Sequence, residues 1–248
     1  MLSAWFEYTD LYLAQGLAIL KVGARPCKVI DLPTTLSWDK ALLRVSEALH
    51  ETQGLKYRRA RLRVMLSGAL CQAIPIQAPQ DARNWNDLHQ LLPMSASSLF
   101  GVAPDQLRCV QEAGCAAIGA ASSAHLVQAL ESWTTLSKLK LHSIQPSWSI
   151  ASQCKLARSS TFSALQLTER DGITLLSQTQ SGWVSCHMPQ VGQTPEIEAA
   201  KVRRQLTGWG VEESRLLKLD FVAASATPLQ GGPTLWAGHW RQHATAAH

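Results

Sequence analysis

The chain has 248 residues, of which 46% are hydrophobic and 17% are charged. Such a chain can bury a substantial core, and its low charge and high apolar content exclude an intrinsically disordered protein. The net charge of +5 at pH 7, with a pI of about 9.0, is too mild to identify a nucleic-acid binder by itself.

The six cysteines are scattered, with no CxxC pair and no metal-ligand spacing. The sequence therefore predicts neither a zinc site nor redox chemistry. The opening residues MLSAWFEYTD lack the basic and apolar regions of a signal peptide. Polar residues also interrupt each apolar run before the ~18–20 residues that a membrane span requires. We expect a reduced, soluble, cytoplasmic protein.

The first elements predicted are a hairpin, a short strand and a helix. Strands over residues 2–8 and 11–15 are joined at the turn-forming pair Thr9-Asp10, and a further apolar run follows Gly16. CKVIDLP (residues 27–33) predicts another strand, which Pro33 ends. An apolar stripe with helical spacing over residues 34–54 predicts an amphipathic helix with Ser37 at its N-cap.

A basic stretch, KYRRARLRVMLSGALCQAIPI (residues 56–76), follows this helix. Its arginines alternate with small or apolar residues, the pattern of a half-exposed strand, and the apolar run from Val64 is typical of a strand entering the middle of a sheet. We interpret the arginines as the solvated end of that strand. The alternative is a nucleic-acid site, although no aromatic residues for base stacking are interleaved with its cations. That site would use Lys56, Arg58, Arg59, Arg61 and Arg63.

The remaining elements continue a mixed order. Residues 84–101 predict a short helix and a loop, and residues 122–140 predict a second amphipathic helix. Residues 161–190 predict three strands joined by the hairpin signals Asp171-Gly172 and Ser181-Gly182. EIEAAKVRRQLTGWG (residues 196–210) predicts a helix and RLLKLDFVA (residues 215–223) a strand. The tail after Pro228 is predicted to be loose. This order is α/β with meanders and differs from a doubly wound parallel sheet.

Motifs for catalysis and cofactor binding are missing from the sequence. It contains no GxxxxGK[ST], GxGxxG, GxSxG or HExxH pattern. The neighbouring Cys186 and His187 would point to opposite faces of a strand, which favours packing over a catalytic pair. We predict no catalytic, cofactor-binding or metal-binding residues. The rival hypothesis is a nucleotide-binding ATPase with an unrecognised site formed by acids: Glu7, Asp10, Glu169 and Asp171.

Four segments resemble one known architecture when they are taken in order. They are RLRVMLSGALCQAIPIQAP, SLFG, AAIGAASSAHLVQALESWTTLSKLKLHSIQPSW and SALQLTERDGITLLSQTQSGWVS. Together with the opening hairpin, this layout resembles the actin-like fold of the type IV pilus assembly protein PilM and of the cytoplasmic domain of type II secretion protein L. The resemblance covers about residues 2–190.

The chain departs from actin-like ATPases at their phosphate-binding hairpins, which carry an acidic residue and a glycine. Its first hairpin is predicted to read WFEYTDLY, without a glycine that would let a phosphate approach the backbone. In the second hairpin, LQLTERDGITLL, Thr168 and Glu169 stand at the corresponding stretch. The resemblance therefore implies that ATP binding is lost and that no cofactor is used.

The sequence as a whole predicts an α/β protein with an actin-like (RNase H-like) fold, in which helices flank mixed sheets. A first subdomain over residues 1–157 would precede a truncated second subdomain over residues 158–248 with a loose tail. The resemblance implies a non-catalytic cytoplasmic scaffold or adaptor in a bacterial type IV pilus or type II secretion-like envelope machine. Its partner would be the cytoplasmic part of an inner-membrane protein, and the chain would lie peripherally at that membrane without inserting into it.

Overall fold

The computed structural model describes residues 8–23, 27–53, 61–76, 85–111, 118–153, 162–180, 182–189, 194–221 and 240–242. The first of its three sheets has the strand order β3-β2-β1-β4-β8. β1 is antiparallel to β2 and parallel to β4, which is parallel to β8. The five strands are β1 (Tyr8–Ala14), β2 (Leu17–Val22), β3 (Lys28–Asp31), β4 (Arg61–Leu66) and β8 (Lys140–Pro146).

Both faces of β1 and β2 and of the second half of β4 are buried, which explains the continuous apolar runs of these strands. On one face, Leu11, Leu13 and Leu62 pack against Leu42, Leu49 and Leu130 of two helices. These helices are α1 (Trp38–Gln53) and α3 (Ala124–Leu136). On the other face, the side chains at the alternating positions of these strands pack against the second half of the chain. This cluster includes Tyr12, Ile19, Met65, Leu167 and Leu219.

The second sheet has the order β11-β10-β9-β12-β13. Its strands are β9 (Ala164–Glu169), β10 (Gly172–Thr179), β11 (Gly182–Pro189), β12 (Leu216–Phe221) and β13 (Trp240–Gln242). The helix α5 (Pro195–Gly208) places Val202 and Leu206 against Ile173 and Leu175 of this sheet.

The third sheet is antiparallel, in the order β5-β7-β6, and packs against α2. Leu92 and Ala96 of the helix contact Ile74 and Ala121 of the sheet. The elements are β5 (Cys71–Pro75), β6 (Leu107–Gln111), β7 (Ile118–Ser123) and α2 (Trp85–Phe100), and a short helix α4 (Ser147–Ser152) follows β8.

The first hairpin differs from the prediction. Thr9 and Asp10 do not form a turn but lie buried inside β1. The turn lies at Gln15 and Gly16 instead, and Gly16 has a φ of +80°, a conformation that glycine adopts without steric cost. The expectation that the first hairpin lacks a glycine at its turn was therefore wrong. The buried apolar strand outweighs the local turn preference of a Thr-Asp pair.

The later meander is confirmed. β9, β10 and β11 are successive antiparallel partners, and the turn between β9 and β10 consists of Arg170 and Asp171. The predicted subdomain boundary at residues 157 and 158 and most of the predicted tail lie outside the described residues. Within the ranges described above, no helix is both long and apolar enough to cross a membrane.

Candidate functional site: two carboxylates between the hairpin turns

The turn of the first hairpin and the turn between β9 and β10 contact each other directly. The backbone N–H of Gln15 donates a hydrogen bond to Oδ2 of Asp171, with an N···O distance of 2.8 Å. The hydroxyl of Ser67, in the turn between β4 and β5, donates to the same oxygen at 2.6 Å. Three turns, two from the first half of the chain and one from the second, therefore meet at a single carboxylate.

Glu169, two residues earlier, makes a second connection between the halves and is only 2% exposed. The Tyr12 hydroxyl donates to its Oε1 at 2.9 Å, and the backbone N–H of Gly68 donates to its Oε2 at 2.7 Å. We name this group the carboxylate latch. It consists of the two acids and their donors: Glu169, Asp171, Tyr12, Gln15, Ser67 and Gly68.

Gly68 allows the first half to approach the second this closely. A Cβ atom at this position would lie 1.9 Å from Oγ1 of Thr174 and 3.2 Å from Oε2 of Glu169. Carbon and oxygen cannot approach to 1.9 Å without a bond, so with any other residue either the turn or the Thr174 side chain would have to move. The absence of a side chain thus brings the Gly68 N–H within reach of Glu169.

His187 on β11 borders the latch. Its Nδ1 lies 3.2 Å from Oγ1 of Thr174. Burial lowers the pKa of His187, and the nearby charge of Asp171 opposes this effect. An imidazole with a lowered pKa is neutral at pH 7 and does not counter the charge of the acids.

Burial also raises the pKa values of two latch residues, Glu169 and Tyr12. It raises the pKa of Glu169 to about 8, and the charge of Asp171 acts in the same direction, while hydrogen bonds from Gly68 and Tyr12 act against it. The pKa of Tyr12 is raised well above its usual value by burial and by the two acids. A pKa of about 8 favours the protonated form of Glu169 at neutral pH.

The latch donors are of the kind that bind phosphate, namely backbone N–H groups at tight turns and a hydroxyl. In this structure they bind carboxylates of the same chain. A phosphate group at this position would have to displace Asp171 or Glu169 from these donors and would meet the negative charge of Asp171. Within the described residues no group of three or more His, Cys, Asp or Glu side chains could hold a metal ion that would offset this repulsion.

The structure separates the acids of the rival nucleotide site. Glu169 and Asp171 come together, whereas Asp10 lies five strand residues from the turn, a distance of about 17 Å. Arg63 binds both carboxylate oxygens of Asp10, at 2.6 and 2.9 Å. Burial raises the pKa of Asp10, and Arg63 counteracts that rise. Glu7 lies outside the described residues.

Two of the five cations of the predicted nucleic-acid site, Arg61 and Arg63, lie on β4, where their side chains are half-buried and alternate with buried Leu62 and Val64. The predicted alternating strand is thus confirmed. Besides binding Asp10, Arg63 lies over the ring of Tyr8 at 4.3 Å, and Arg61 donates to the Tyr8 hydroxyl at 3.4 Å. Both described arginines are engaged by the protein itself. Lys56, Arg58 and Arg59 lie outside the described residues.

A groove of about 370 Å³ lies between the third sheet and the helices α1 and α3. Its walls are mostly apolar, with the side-chain amides of Gln72 and Gln106 at its margins. The apolar residues come from α1, α2, α3, β6 and the turn before β5: Trp38, Phe100, Leu126, Leu107 and Leu70.

Comparison with solved structures shows an actin-like fold. The chain is similar to a Bacteroides thetaiotaomicron VPI-5482 protein described as having an actin-like ATPase fold and unknown function, with a TM-score of 0.58 and 9% identity over 88% of this chain and 83% of that one. It is similar to the cytoplasmic domain of EpsL, an inner membrane component of the type II secretion system of Vibrio cholerae, with a TM-score of 0.51 and 12% identity over 92% and 87% of the two chains.

A third similar structure is the PilM–PilN type IV pilus biogenesis complex, with a TM-score of 0.52 and 11% identity. The match covers 83% of this chain and 66% of the chain in that complex. No protein-family model and no curated protein sequence matches the chain. The predicted actin-like fold and the resemblance to the PilM and type II secretion L proteins are therefore confirmed at the level of the fold.

Proposed function

We propose that the protein is a non-catalytic assembly or adaptor subunit of a bacterial type IV pilus or type II secretion-like envelope machine. It would bind the cytoplasmic part of an inner-membrane protein and lie at the cytoplasmic face of that membrane. The observation that carries this proposal is the carboxylate latch. A protein that fastens its two hairpin turns to each other leaves little place for a nucleotide between them.

A nucleotide phosphate would compete with Asp171 and Glu169 for the hydrogen-bond donors of the latch. The resemblance implies that both hairpins bind phosphate in actin-like ATPases. In this chain the Gln15 and Gly68 N–H groups and the Ser67 hydroxyl already bind Asp171 and Glu169. Nucleotide binding would break these bonds and leave the buried Glu169 without partners, at a cost of about 1–3 kcal/mol for each unsatisfied group. The half-buried Asp171 would lose its two donors as well. We infer that the fold serves as a scaffold.

The class of partner follows by analogy from two of the similar structures. EpsL is an inner membrane component of a secretion system, and PilM is found in a complex with PilN. Fold similarity alone does not establish function. A protein that binds a cytoplasmic segment of a membrane protein also requires a surface on which a polypeptide can lie. The groove between the third sheet and helices α1 and α3 provides one, since peptide-binding sites combine apolar walls with a few hydrogen-bonding groups.

A groove-blocked variant tests this proposal. Gln106 and Asp105 are exposed neighbours, but only Gln106 lines the groove. The variant Gln106→Trp fills the groove without removing a core contact, and Asp105→Trp adds the same bulk beside it. Tagged wild-type protein and both variants are incubated with detergent-solubilised bacterial inner membranes, and retained proteins are identified by mass spectrometry. We expect a membrane protein with a cytoplasmic segment to be retained by wild type and Asp105→Trp and lost with Gln106→Trp. Retention of no such protein, or equal retention by all three, would contradict the proposal.

A further inference from the structure

A cavity of about 500 Å³ lies at the end of the second sheet that is opposite the carboxylate latch. Its floor is a row of three buried leucines on adjacent strands, Leu217 of β12, Leu165 of β9 and Leu176 of β10. They belong to the core cluster that joins the two halves of the chain. Ser152, the last residue of α4, lines the cavity from the first half. Cavities of this size at the junction of two parts of a protein are common sites for small ligands.

The next row of residues along these strands faces the same cavity. Residues two positions apart in a strand lie on the same face, so Arg215 and Gln178 share the face of the leucines. Trp183 of β11 is the cross-strand partner of Gln178. Ser163 lies between Arg215 and Gln178, since its N–H donates to the carbonyl of Arg215 at 3.0 Å and its own carbonyl accepts from the N–H of Gln178 at 3.4 Å. A row of four residues therefore crosses the sheet and lines the cavity, in the order Arg215, Ser163, Gln178 and Trp183.

Aromatic and hydrogen-bonding side chains surround the leucine floor. Phe162 and Trp183 are half-buried, and each packs against the core cluster and also lines the cavity. The amides of Gln178 and Gln180 are exposed at its rim. Arg215 is the one charged side chain among the described residues that line it. Apolar and aromatic walls, a few amides and a single charge are the composition of a binding site for a small organic ligand.

The guanidinium of Arg215 is available to such a ligand. Arg215 is exposed and forms no ion pair with any residue in the described ranges. Glu213, two residues earlier, pairs instead with Arg203 and Lys218. Glu212 is exposed and does not line the cavity. The cavity therefore carries a positive charge that no acid of its lining neutralises.

We propose that this cavity binds a small aromatic carboxylate, an organic anion with a single negative charge on a flat apolar body. The guanidinium of Arg215 would bind the carboxylate through two parallel hydrogen bonds, the geometry that arginine and carboxylate groups share. The flat body would lie on the leucine floor, beside the rings of Phe162 and Trp183. The ligand would thus contact both halves of the chain at a position distant from the latch.

The lining of the cavity favours this class of ligand over others. A nucleotide or another polyphosphate would place several negative charges beside a single arginine. A cation would be repelled by Arg215. A small anion without an apolar body would leave the leucines and the two rings in contact with water, and so would gain nothing from burying them. One charge and one flat apolar body match what the cavity offers.

Isothermal titration calorimetry with three probes tests the proposal. Indole-3-acetate combines a carboxylate with a flat apolar body, indole-3-acetamide keeps the body without the charge, and acetate keeps the charge without the body. We expect the wild-type protein to bind one equivalent of indole-3-acetate. It should bind indole-3-acetamide at least about tenfold more weakly, because the amide cannot accept charge-assisted hydrogen bonds from Arg215. Acetate should show no binding at the same concentrations.

Two variants with matched controls locate the binding. Arg215→Gln should lower the affinity for indole-3-acetate by about tenfold or more, to that for the amide, and leave the affinity for the amide unchanged. Gln178→Glu places an acid at the rim and should likewise weaken binding of the carboxylate alone. The controls Arg204→Gln on α5 and Gln128→Glu on α3 make the same charge changes at exposed positions outside the lining, and should bind all probes as wild type does.

Arg215 and Gln178 are exposed, so the fold should persist in both variants, and circular dichroism checks this. Failure of the wild-type protein to bind indole-3-acetate one-to-one would overturn the proposal. So would equal affinities for the carboxylate and the amide, or an undiminished preference for the carboxylate in Arg215→Gln. These results are independent of the proposed adaptor function, because the cavity shares no lining residue with the groove assigned to the membrane partner.

Discussion

Glu169 is held between Tyr12 and Gly68 in a site that water barely reaches, and this placement makes the stability of the fold depend on pH. Its pKa is about 8 in the folded protein, against 4.5 for an ordinary glutamate. The folded state therefore binds a proton more tightly than the unfolded state. Its contribution to stability is complete below pH 4.5 and is lost as the pH rises through 8.

The variant Glu169→Gln removes this dependence. The amide stays neutral, can accept from the Gly68 N–H and can donate to the Tyr12 oxygen. We expect the wild-type free energy of unfolding to fall between pH 5 and pH 8 by up to about 1.4 kcal/mol per pH unit, and that of the variant to fall less. Urea denaturation at several pH values measures both. The exposed Glu131→Gln serves as control and should follow wild type. Equal pH dependence in Glu169→Gln and wild type would show that Glu169 is not protonated in the fold.

At the scale of residues, the sequence identifies the acids of the site but not their donors. Glu169 and Asp171 attract attention because they lie at a predicted hairpin turn, and they are adjacent in space. Tyr12 and Gly68, the partners of Glu169, are 157 and 101 positions away from it in the chain, and no periodicity or motif links them. Asp10 was grouped with these acids by residue type alone, and its pairing with Arg63 depends on the register of β1 and β4.

At the scale of elements, the turn between β4 and β5 fits against β10 only because Gly68 has no side chain. The substitution Gly68→Ala would place a methyl group against the Thr174 hydroxyl, and we expect a loss of about 1–3 kcal/mol in stability, as for other overpacked sites. Removing that hydroxyl with Thr174→Ala should recover part of the loss in the double variant. Chemical denaturation of the two single variants and the double variant gives the coupling energy.

The control for this cycle is Gly208→Ala, since a Cβ at Gly208 meets no atom within 4 Å. It should not lower stability and should raise it by up to about 1 kcal/mol through helix propensity, to the same extent with or without Thr174→Ala. Strict additivity of Gly68→Ala and Thr174→Ala would mean that the turn does not press on β10. The close approach that brings the Gly68 N–H to Glu169 would then be in doubt.

The elements themselves are predictable to different degrees. Helices α1 and α3 follow from apolar stripes of helical period, and the meander of β9, β10 and β11 follows from its turn-forming pairs. The first hairpin was placed wrongly because Thr9-Asp10 is a good local turn pair, whereas burial of both residues in β1 is decided by strands on either side. Tertiary burial outweighs local preference there.

At the scale of the whole molecule, the order of elements predicts a mixed α/β protein, and the resemblance to PilM and type II secretion protein L implies the actin-like fold. The similar solved structures confirm that fold. The contact between the two halves could not be predicted, because it depends on how three turns from distant parts of the chain converge. That contact changes the reason for expecting no nucleotide. The first hairpin does contain a glycine, at Gly16, but its turn is bound by Asp171 of the other half.

The thermal unfolding midpoint of the protein, with and without Mg-ATP, tests most directly whether the protein is a scaffold that binds no nucleotide. Generic duplex DNA serves as a second ligand. A ligand at about 100 times its dissociation constant adds about 2.7 kcal/mol of stability. For a chain of this size each kcal/mol raises the midpoint by about 2–4 °C. We expect neither ligand to shift the unfolding midpoint. A shift of several degrees with Mg-ATP would contradict the nucleotide-independent scaffold, and a shift with duplex alone would favour the basic stretch as a nucleic-acid site.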